Sequence, residues 1–273
     1  MTLAPLFFAK RGHVPCRIMH SHSTRVIHKI FYPVHWFHKL FINRLATVKI
    51  ACSDDAGKWM FPGEYLLIKN AITIPNYQFD PKARLSVRQS LGMSNDTLVI
   101  GHIGRFFPAK NHSFIINVFE EILKSGKKAV LLLVGDGGQE LSVRHLVSEK
   151  GLENHVMFLG AQTDVNKYLS AFDVFLFPSI YEGFGIALLE AQTNGVPIFC
   201  STNITKESTI TPCVYRLHLN AGPKYWAEKI LSADLKRNDY SHFIIDAGFD
   251  IQKEANKLQH FYLTQASNRS YLP

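Results

Sequence analysis

From Leu98 to Ser201 the chain alternates short apolar runs with amphipathic segments, and this alternation narrows the possible folds more than any other feature. The runs LVIGHIG (98–104), AVLLLVG (129–135), VMFLG (156–160), VFLFPS (174–179) and PIFCS (197–201) are nearly continuous in apolar residues. Strands of that kind are buried on both faces, as in a parallel sheet covered by helices. Between them lie SFIINVFEEILKSG (113–126), QELSVRHLVSEKG (139–151), VNKYLSAF (165–172) and IALLEAQTNG (186–195), which read as helices. Strand–helix–strand repetition of this type makes a doubly wound α/β domain.

Upstream, RIMHSHS (17–23) and TVKIACS (47–53) read as two more short strands, separated by a basic helical stretch. The Pro, Gly and Asn positions of FPGEYLLIKNAITIPNYQF (61–79) suggest a crossing between domains with one strand inside it. WAEKILSA (226–233) and DIQKEANKLQHFYLTQA (250–266) read as helices. The expected organisation is residues 1–62 as the tail of a first α/β domain and 63–238 as a nearly complete second one. Residues 239–273 are expected to form a helix returning toward the first domain.

With 273 residues, nearly half of them apolar, the chain can bury a proper core. The opening MTLAPLFFAKRG places apolar residues before basic ones, the reverse of a secretory signal, and no apolar run is long enough to cross a bilayer. A cytoplasmic protein is therefore expected. Cys16, Cys52, Cys200 and Cys213 are scattered and read as free thiols. Charge is uneven: residues 1–60 hold nine Lys or Arg against Asp54 and Asp55, which is most of the net +8. HKIFYPVHWFHKLFINR interleaves those cations with Phe31, Trp36, Phe37 and Phe41. Such a stretch could lie on the surface of an anionic membrane or grip an acidic substrate, but the plainer reading is an amphipathic helix with its apolar side in a core. No nucleic-acid-binding module accompanies the charge, so no nucleic-acid partner is expected.

Chemistry concentrates in PSIYEGFGIALLEAQTNGVP (178–197), where a buried strand ends and a helix starts near Gly185. Gly183 and Gly185 let backbone approach a ligand, and the helix N-terminus offers unpaired N–H groups to an anion. Glu182 in the turn can reach a sugar, and Glu190, just over two helical turns on, can accept paired hydroxyls. In GHIGRFFPAKNHSF, Gly101 and Gly104 flank a strand end, followed by Arg105 and Lys110. Two cations at the carboxyl end of a parallel strand suit a diphosphate. GDGG (135–138) has Glu140 where a dinucleotide loop would have its third Gly, so it reads as an ordinary strand-to-helix turn near the ligand. His20 and His22 stand near Cys16 without a fourth metal ligand; they are expected at a strand end facing a cleft or simply packed. No metal site is expected.

The ordered set GRFxxxKNH, LLLVGDG, VxFLG and DVFLFPSxYEGFGxALLEAQxxGVP resembles glycosyltransferase family 4, and within it bacterial capsular and exopolysaccharide transferases. RIMHSHS, ACSDDAGKWMF and IKNAI extend the resemblance over most of the chain. It implies a GT-B fold, two facing α/β domains, with retaining and metal-independent transfer of a sugar from a nucleotide-sugar donor. Glu182 and Glu190 match the family's Glu-x7-Glu motif, and Arg105 and Lys110 its diphosphate-binding pair. Arg105 and Lys110 would neutralise the leaving diphosphate, with N–H groups of Phe184 and Gly185. Glu190 would hold the ribose, Glu182 the transferred sugar, and the backbone near Gly104 and Phe158–Gly160, with Asp164, would surround the phosphates and base.

The implied donor is a UDP-sugar, used as a substrate with no cofactor beside it. The implied acceptor is lipid-linked or polysaccharide, reached at the inner face of a membrane. His20 and His22 would lie on the acceptor side. Set against the family, the chain begins after the Gly-rich loop and active-site histidine of the first domain. The expectation is thus a complete C-terminal doubly wound domain with only the tail of the N-terminal one. Such a chain is either a transferase, or a truncated donor-binding fragment or subunit of a split transferase.

Overall fold

The computed structural model describes residues 3–22, 30 and 32–267. Phe31, named above, lies outside the described residues, as do Arg25 and Lys29 among the nine basic residues counted and Ser23 at the end of the first strand-like run. The chain forms two compact units, Met1–Ala71 with Gly248–Pro273, and Ile72–Ala247.

The first unit contains α1 (Ala4–Arg11), β1 (Ile18–Ser21), α2 (Tyr32–Leu45), β2 (Val48–Ala51), α3 (Asp54–Met60) and β3 (Leu66–Leu67). Its three strands are parallel, in the order β1-β2-β3. Leu3, Leu6, Ile42, Ala51, Met60 and Phe61 form the core beneath them. Ser53 caps α3 by accepting from the Ala56 N–H at 3.1 Å, the usual role of a serine at that position.

The second unit runs through α4 (Pro81–Ser90), β4 (Leu98–Ile103), α5 (His112–Lys124), β5 (Ala129–Val134), α6 (Glu140–Glu149), β6 (Val156–Phe158), α7 (Asn166–Ala171), β7 (Val174–Phe177), α8 (Ile186–Asn194), β8 (Ile198–Ser201), β9 (Val214–Leu217), α9 (Gly222–Ser232) and α10 (Ser241–Asp246). A final helix, α11 (Ile251–Ser267), belongs to the first unit. There the backbone N–H of Lys69 donates to Glu254 at 2.7 Å, and Lys257 donates to the Leu67 carbonyl at 2.6 Å.

Both boundaries fall later than the expected 62 and 238. β3 pairs with β2 through Ile50↔Leu66, which keeps residues beyond 62 with the first sheet. Past 238 the chain stays on the second unit: Gln78 donates to Ser241 at 3.2 Å, and α10 packs on α8.

All six strands of the second unit are parallel, in the order β6-β5-β4-β7-β8-β9. Successive residues of β4 and β5 feed opposite faces: Leu98, Ile100, Leu131 and Leu133 enter one core cluster, and Val99, Leu132 and Val134 the other. The order turns back at β4, so β5 and β7 flank it and their connections leave in opposite directions. A crevice at the carboxyl ends of the strands forms at such a reversal. β4 and β7 pair only through Ile100↔Val174 and Gly101↔Phe175. Beyond that point His102 fills in, its Nδ1 2.8 Å from the Leu176 carbonyl oxygen.

Helix α4 is anchored by charge. Arg84 and Arg88 meet Asp173 at 2.6 and 3.2 Å, and the same carboxylate accepts from the Val99 N–H at 2.8 Å. Gly101 is required by packing, because a β-carbon there would lie 2.1 Å from the Phe172 ring. Gly101→Ala should therefore destabilise the second unit by about 1–3 kcal/mol, the usual range for overpacking a core. Thermal unfolding followed by circular dichroism would register this as a lowered midpoint.

Candidate functional site

Three loops leave the carboxyl ends of β4, β5 and β6 in backbone-to-backbone contact. The Gly104 N–H donates to Val134 at 2.9 Å, Phe106 N–H to Asp136 at 2.7 Å, and Gly135 N–H to Gly160 at 2.8 Å. Gly135 has φ +142°, and a β-carbon there would sit 2.1 Å from the Gly104 carbonyl oxygen. Gly137, at φ +146°, would meet the Phe106 carbonyl oxygen at 2.6 Å. The 135–138 run does open α6 as expected, but it is no ordinary turn. Its glycines are what allow the loop carrying Gly104 and Arg105 to lie against the next one.

The loop after β4 is also laced to the loop after β7. Asn111, in the left-handed region at φ 59°, precedes α5 and donates through Nδ2 to the Pro178 carbonyl at 3.2 Å. The Ile180 N–H donates to Ala109 at 2.8 Å. These bonds bring together two of the expected residues: Lys110 Nζ lies 2.7 Å from Glu182 Oε1, with both side chains mostly buried. The ammonium also sits 4.9 Å from the centre of the Phe177 ring. A lysine has three donors, so this one can hold Glu182 and still offer hydrogens to an anion. Arg105 is exposed and enters no ion pair among the described residues. Gly183 is exposed, Phe184 is buried, and Gly185 adopts φ 79° at the start of α8, as a tight entry to the helix requires.

Glu190 lies apart from this pair. Half-buried on α8, it has its carboxyl pushed above the ordinary value by burial, an effect that the Tyr77 hydroxyl opposes. Burial, then the Glu190 charge, push the Tyr77 phenol up to about 12, with Asp164 adding to the effect. Asp164 itself is exposed in the loop after β6, and Gly160 is at φ +66°. Tyr77, in a short 3-10 turn before α4, was not visible as a site residue from sequence. An isolated aromatic in a linking segment carries no pattern to mark it.

Two buried histidines underlie the Gly104–Lys110 loop. His102 Nε2 and both ring nitrogens of His112 have no hydrogen-bond partner. The two rings meet edge-on at 4.9 Å, and His112 stacks on Phe106 at 4.2 Å. Burial holds His102 well below its ordinary value and brings His112 down to about 4, with Lys110 contributing to both. Both are therefore neutral packing elements. His20 and His22 belong to the first unit, exposed at the end of β1 with ring centres 4.1 Å apart. Among the described residues no group of three His, Cys, Asp or Glu is placed to hold a metal ion, and all four cysteines are free.

A sequence profile of the family described as "Glycosyl transferases group 1" matches residues 84–247, more than half of the chain, including Arg105, Lys110, Asp164, Glu182 and Glu190. The chain belongs to this family. It is a glycosyltransferase with the GT-B fold. Among relatives, it is 30% identical over 269 residues to the putative glycosyltransferase EpsF of Bacillus subtilis, covering 93% of this chain and 70% of that one. It is 26% identical to an Escherichia coli UDP-Gal:alpha-D-GlcNAc-diphosphoundecaprenol alpha-1,3-galactosyltransferase, over 66% of this chain and 49% of the relative. Of solved structures, Anabaena HepE in complex with UDP superposes with a TM-score of 0.80 at 19% identity, covering 96% of this chain and 76% of HepE.

The histidine pair makes the glycosyltransferase's second unit acid-sensitive. Between pH 6.5 and about 4 the unfolded chain takes up protons on these histidines that the folded chain does not. Stability attributable to the pair is thus full above pH 6.5 and is lost as pH falls through that window. Unfolding midpoints measured from pH 7 to 4 should decline, and His112→Phe, which preserves the stack on Phe106, should flatten part of the decline.

Proposed function

We propose that this chain transfers a hexose or N-acetylhexosamine from a UDP-sugar, with retention of configuration, to a lipid-linked or polysaccharide acceptor in capsular or exopolysaccharide synthesis. One observation carries the reading: Lys110 and Glu182 are paired at 2.7 Å where the strand order reverses. A cation for the diphosphate and a carboxylate for the sugar thereby lie side by side.

In this reading Arg105 and Lys110 neutralise the charge that develops as the bond between the sugar C1 and the β-phosphate oxygen breaks. The N–H groups of Phe184 and Gly185, near the start of α8, point the same way. Glu182 binds hydroxyls of the transferred sugar and Glu190 the ribose diol, while backbone around Gly160 and Asp164 borders the base. Because a nucleoside diphosphate is already a good leaving group, positioning and electrostatics provide most of the rate enhancement. Two protein cations supply the charge a metal would otherwise provide, which supports metal-independent transfer.

The names of relatives lean the same way: the E. coli enzyme acts on a diphosphoundecaprenol-linked sugar, and a Staphylococcus aureus relative, 25% identical over 211 residues, is a capsular polysaccharide glycosyltransferase. HepE has been crystallised with UDP-glucose. No helix among the described residues is long and apolar enough to cross a membrane. Access to a lipid-linked acceptor from the cytoplasmic side would come through α1 and α2. There Phe8 and Trp36 are 66% and 67% exposed beside Lys10, Arg11 and Lys39.

A second reading is favoured by the same exposed aromatics together with β1, which among the described residues pairs only with β2 in a three-stranded sheet. Unpaired edges and apolar faces are ordinarily covered. The chain would then be the donor-binding part of a transferase whose acceptor half another polypeptide completes. Multiple turnover by the purified chain alone favours the first reading, and binding without turnover the second.

Both readings require Glu190 at the ribose. Glu190→Ala should weaken nucleotide-sugar binding by about 1.5–3 kcal/mol, the range for hydrogen bonds to a charged group. Unchanged affinity by titration calorimetry would remove Glu190 from the site.

A further inference from the structure

Helices α1 and α2 spend only part of their apolar surface on the core of the first unit. Leu6 and Ile42 are buried there, whereas Phe7, Phe8, Trp36 and Phe37 are 45%, 66%, 67% and 56% exposed. Between the two helices runs a groove of about 600 Å³ lined by Phe7, Phe8, Phe37, Phe41 and Leu45. Its aromatics pack on one another: Phe7 meets Phe8 edge-on at 5.5 Å between ring centres, and Phe37 lies 4.9 Å from Phe41. The last turns of the two helices come together at one end, where Lys10 donates to the Arg44 carbonyl at 2.9 Å. Arg11, in the same turn of α1, sits 6.0 Å from the centre of the Phe7 ring.

We infer that this groove takes an acyl chain of an anionic phospholipid, so that α1 and α2 dock the first unit on a bilayer surface. The inference deepens the lipid-linked acceptor reading proposed above by naming the surface on which such an acceptor is met. An apolar patch this exposed marks an interaction site, and charge decides its kind. No Asp or Glu precedes Asp54 in the chain. Lys10, Arg11 and Arg44 enter no ion pair among the described residues. A polypeptide in the groove would have to place carboxylates at its basic end and apolar side chains along the rest. An anionic bilayer presents phosphate above hydrocarbon over its whole surface.

The chemistry along the groove has the order of a single lipid. Cations gather where the two helices end, and aromatic rings line the remainder. Lys10 has three donors and uses one on Arg44, which leaves two for a phosphate, and the guanidinium groups of Arg11 and Arg44 can meet phosphate oxygens in pairs. Lys and Arg stems lie along apolar surface while their charges stay at the headgroup level. Helices that combine a basic side with exposed Trp and Phe lie in the plane of the interface. Lengths of 8 and 14 residues suit that placement and are too short to cross a bilayer.

The test is co-sedimentation of the full chain with vesicles of phosphatidylcholine alone and of equal parts phosphatidylcholine and phosphatidylglycerol. The wild type should bind the mixed vesicles at least about tenfold more tightly, and added salt should weaken that binding. Two double variants, Phe8→Ser with Trp36→Ser and Arg11→Gln with Arg44→Gln, should each lower binding to mixed vesicles about tenfold or more while keeping the wild-type circular dichroism. Mixed vesicles should also shift Trp36 emission to shorter wavelength, a change that Trp36→Phe removes. Should the aromatic pair fail to fold, the charge pair and the Trp36 emission still decide the matter.

No binding, equal binding to both kinds of vesicle, binding that the folded variants leave intact, or Trp36 emission that vesicles do not move would overturn the inference. So would a dimer in solution that Phe8→Ser with Trp36→Ser dissociates, because a second copy would then occupy the groove. Vesicle binding is measured without turnover. A chain that binds mixed vesicles as described but transfers no sugar would support this inference and count against the acceptor reading beneath it.

Discussion

The candidate site depends on how closely two loops approach at the carboxyl edge of one parallel sheet. Gly104 and Gly135 meet backbone to backbone, and no side chain fits between them. That contact sets the position of the Gly104–Lys110 loop, which is then tied across the strand-order reversal by Asn111 to Pro178 and by Ala109 to Ile180. Lys110 meets Glu182 because these backbone bonds bring their loops together. An ion pair between two long side chains contributes little without a fixed frame; here the frame is the polypeptide backbone.

Much of this was legible in the sequence for a definite reason. Strands buried on both faces must be continuously apolar, so β4, β5, β7 and β8 announced themselves, and α5 between β4 and β5 carried a clear apolar stripe. Glu182 and Glu190 were marked by their spacing around a glycine-rich strand-to-helix turn, and Arg105 and Lys110 by following a strand end. What escaped notice depended on partners distant in sequence. PKARLSVRQS, as α4, buries little apolar surface and is held instead by Arg84 and Arg88 on Asp173. The VYRL of β9 is a short strand at the sheet edge, with too few residues for a period to show.

Gly135 and Gly137 could be seen as turn residues, but not as residues that another loop crowds. The place of Tyr77 was missed for the same reason: its turn packs against α8, whose Asn194 donates to the Tyr77 carbonyl from far along the chain. The boundary between units was misplaced because the two-residue strand β3 belongs with β2, a pairing too short to leave a periodic signal.

The arrangement divides labour between charge and hydrogen bonding. In the proposed reading, the cations on the loop after β4 would meet a diphosphate, while the carboxylates on the turn and helix after β7 would meet hydroxyl-bearing groups. Neutral, buried His102 and His112 fill the space beneath the cationic loop without adding positive charge there. The most direct test of this account is hydrogen exchange of the full chain with and without UDP, read by mass spectrometry. The account predicts slowed exchange at amides of 104–111, 158–164 and 182–190, with little change elsewhere in the second unit. Saturating UDP that leaves those three segments unprotected, or protects only amides remote from the carboxyl ends of β4 and β7, would contradict it.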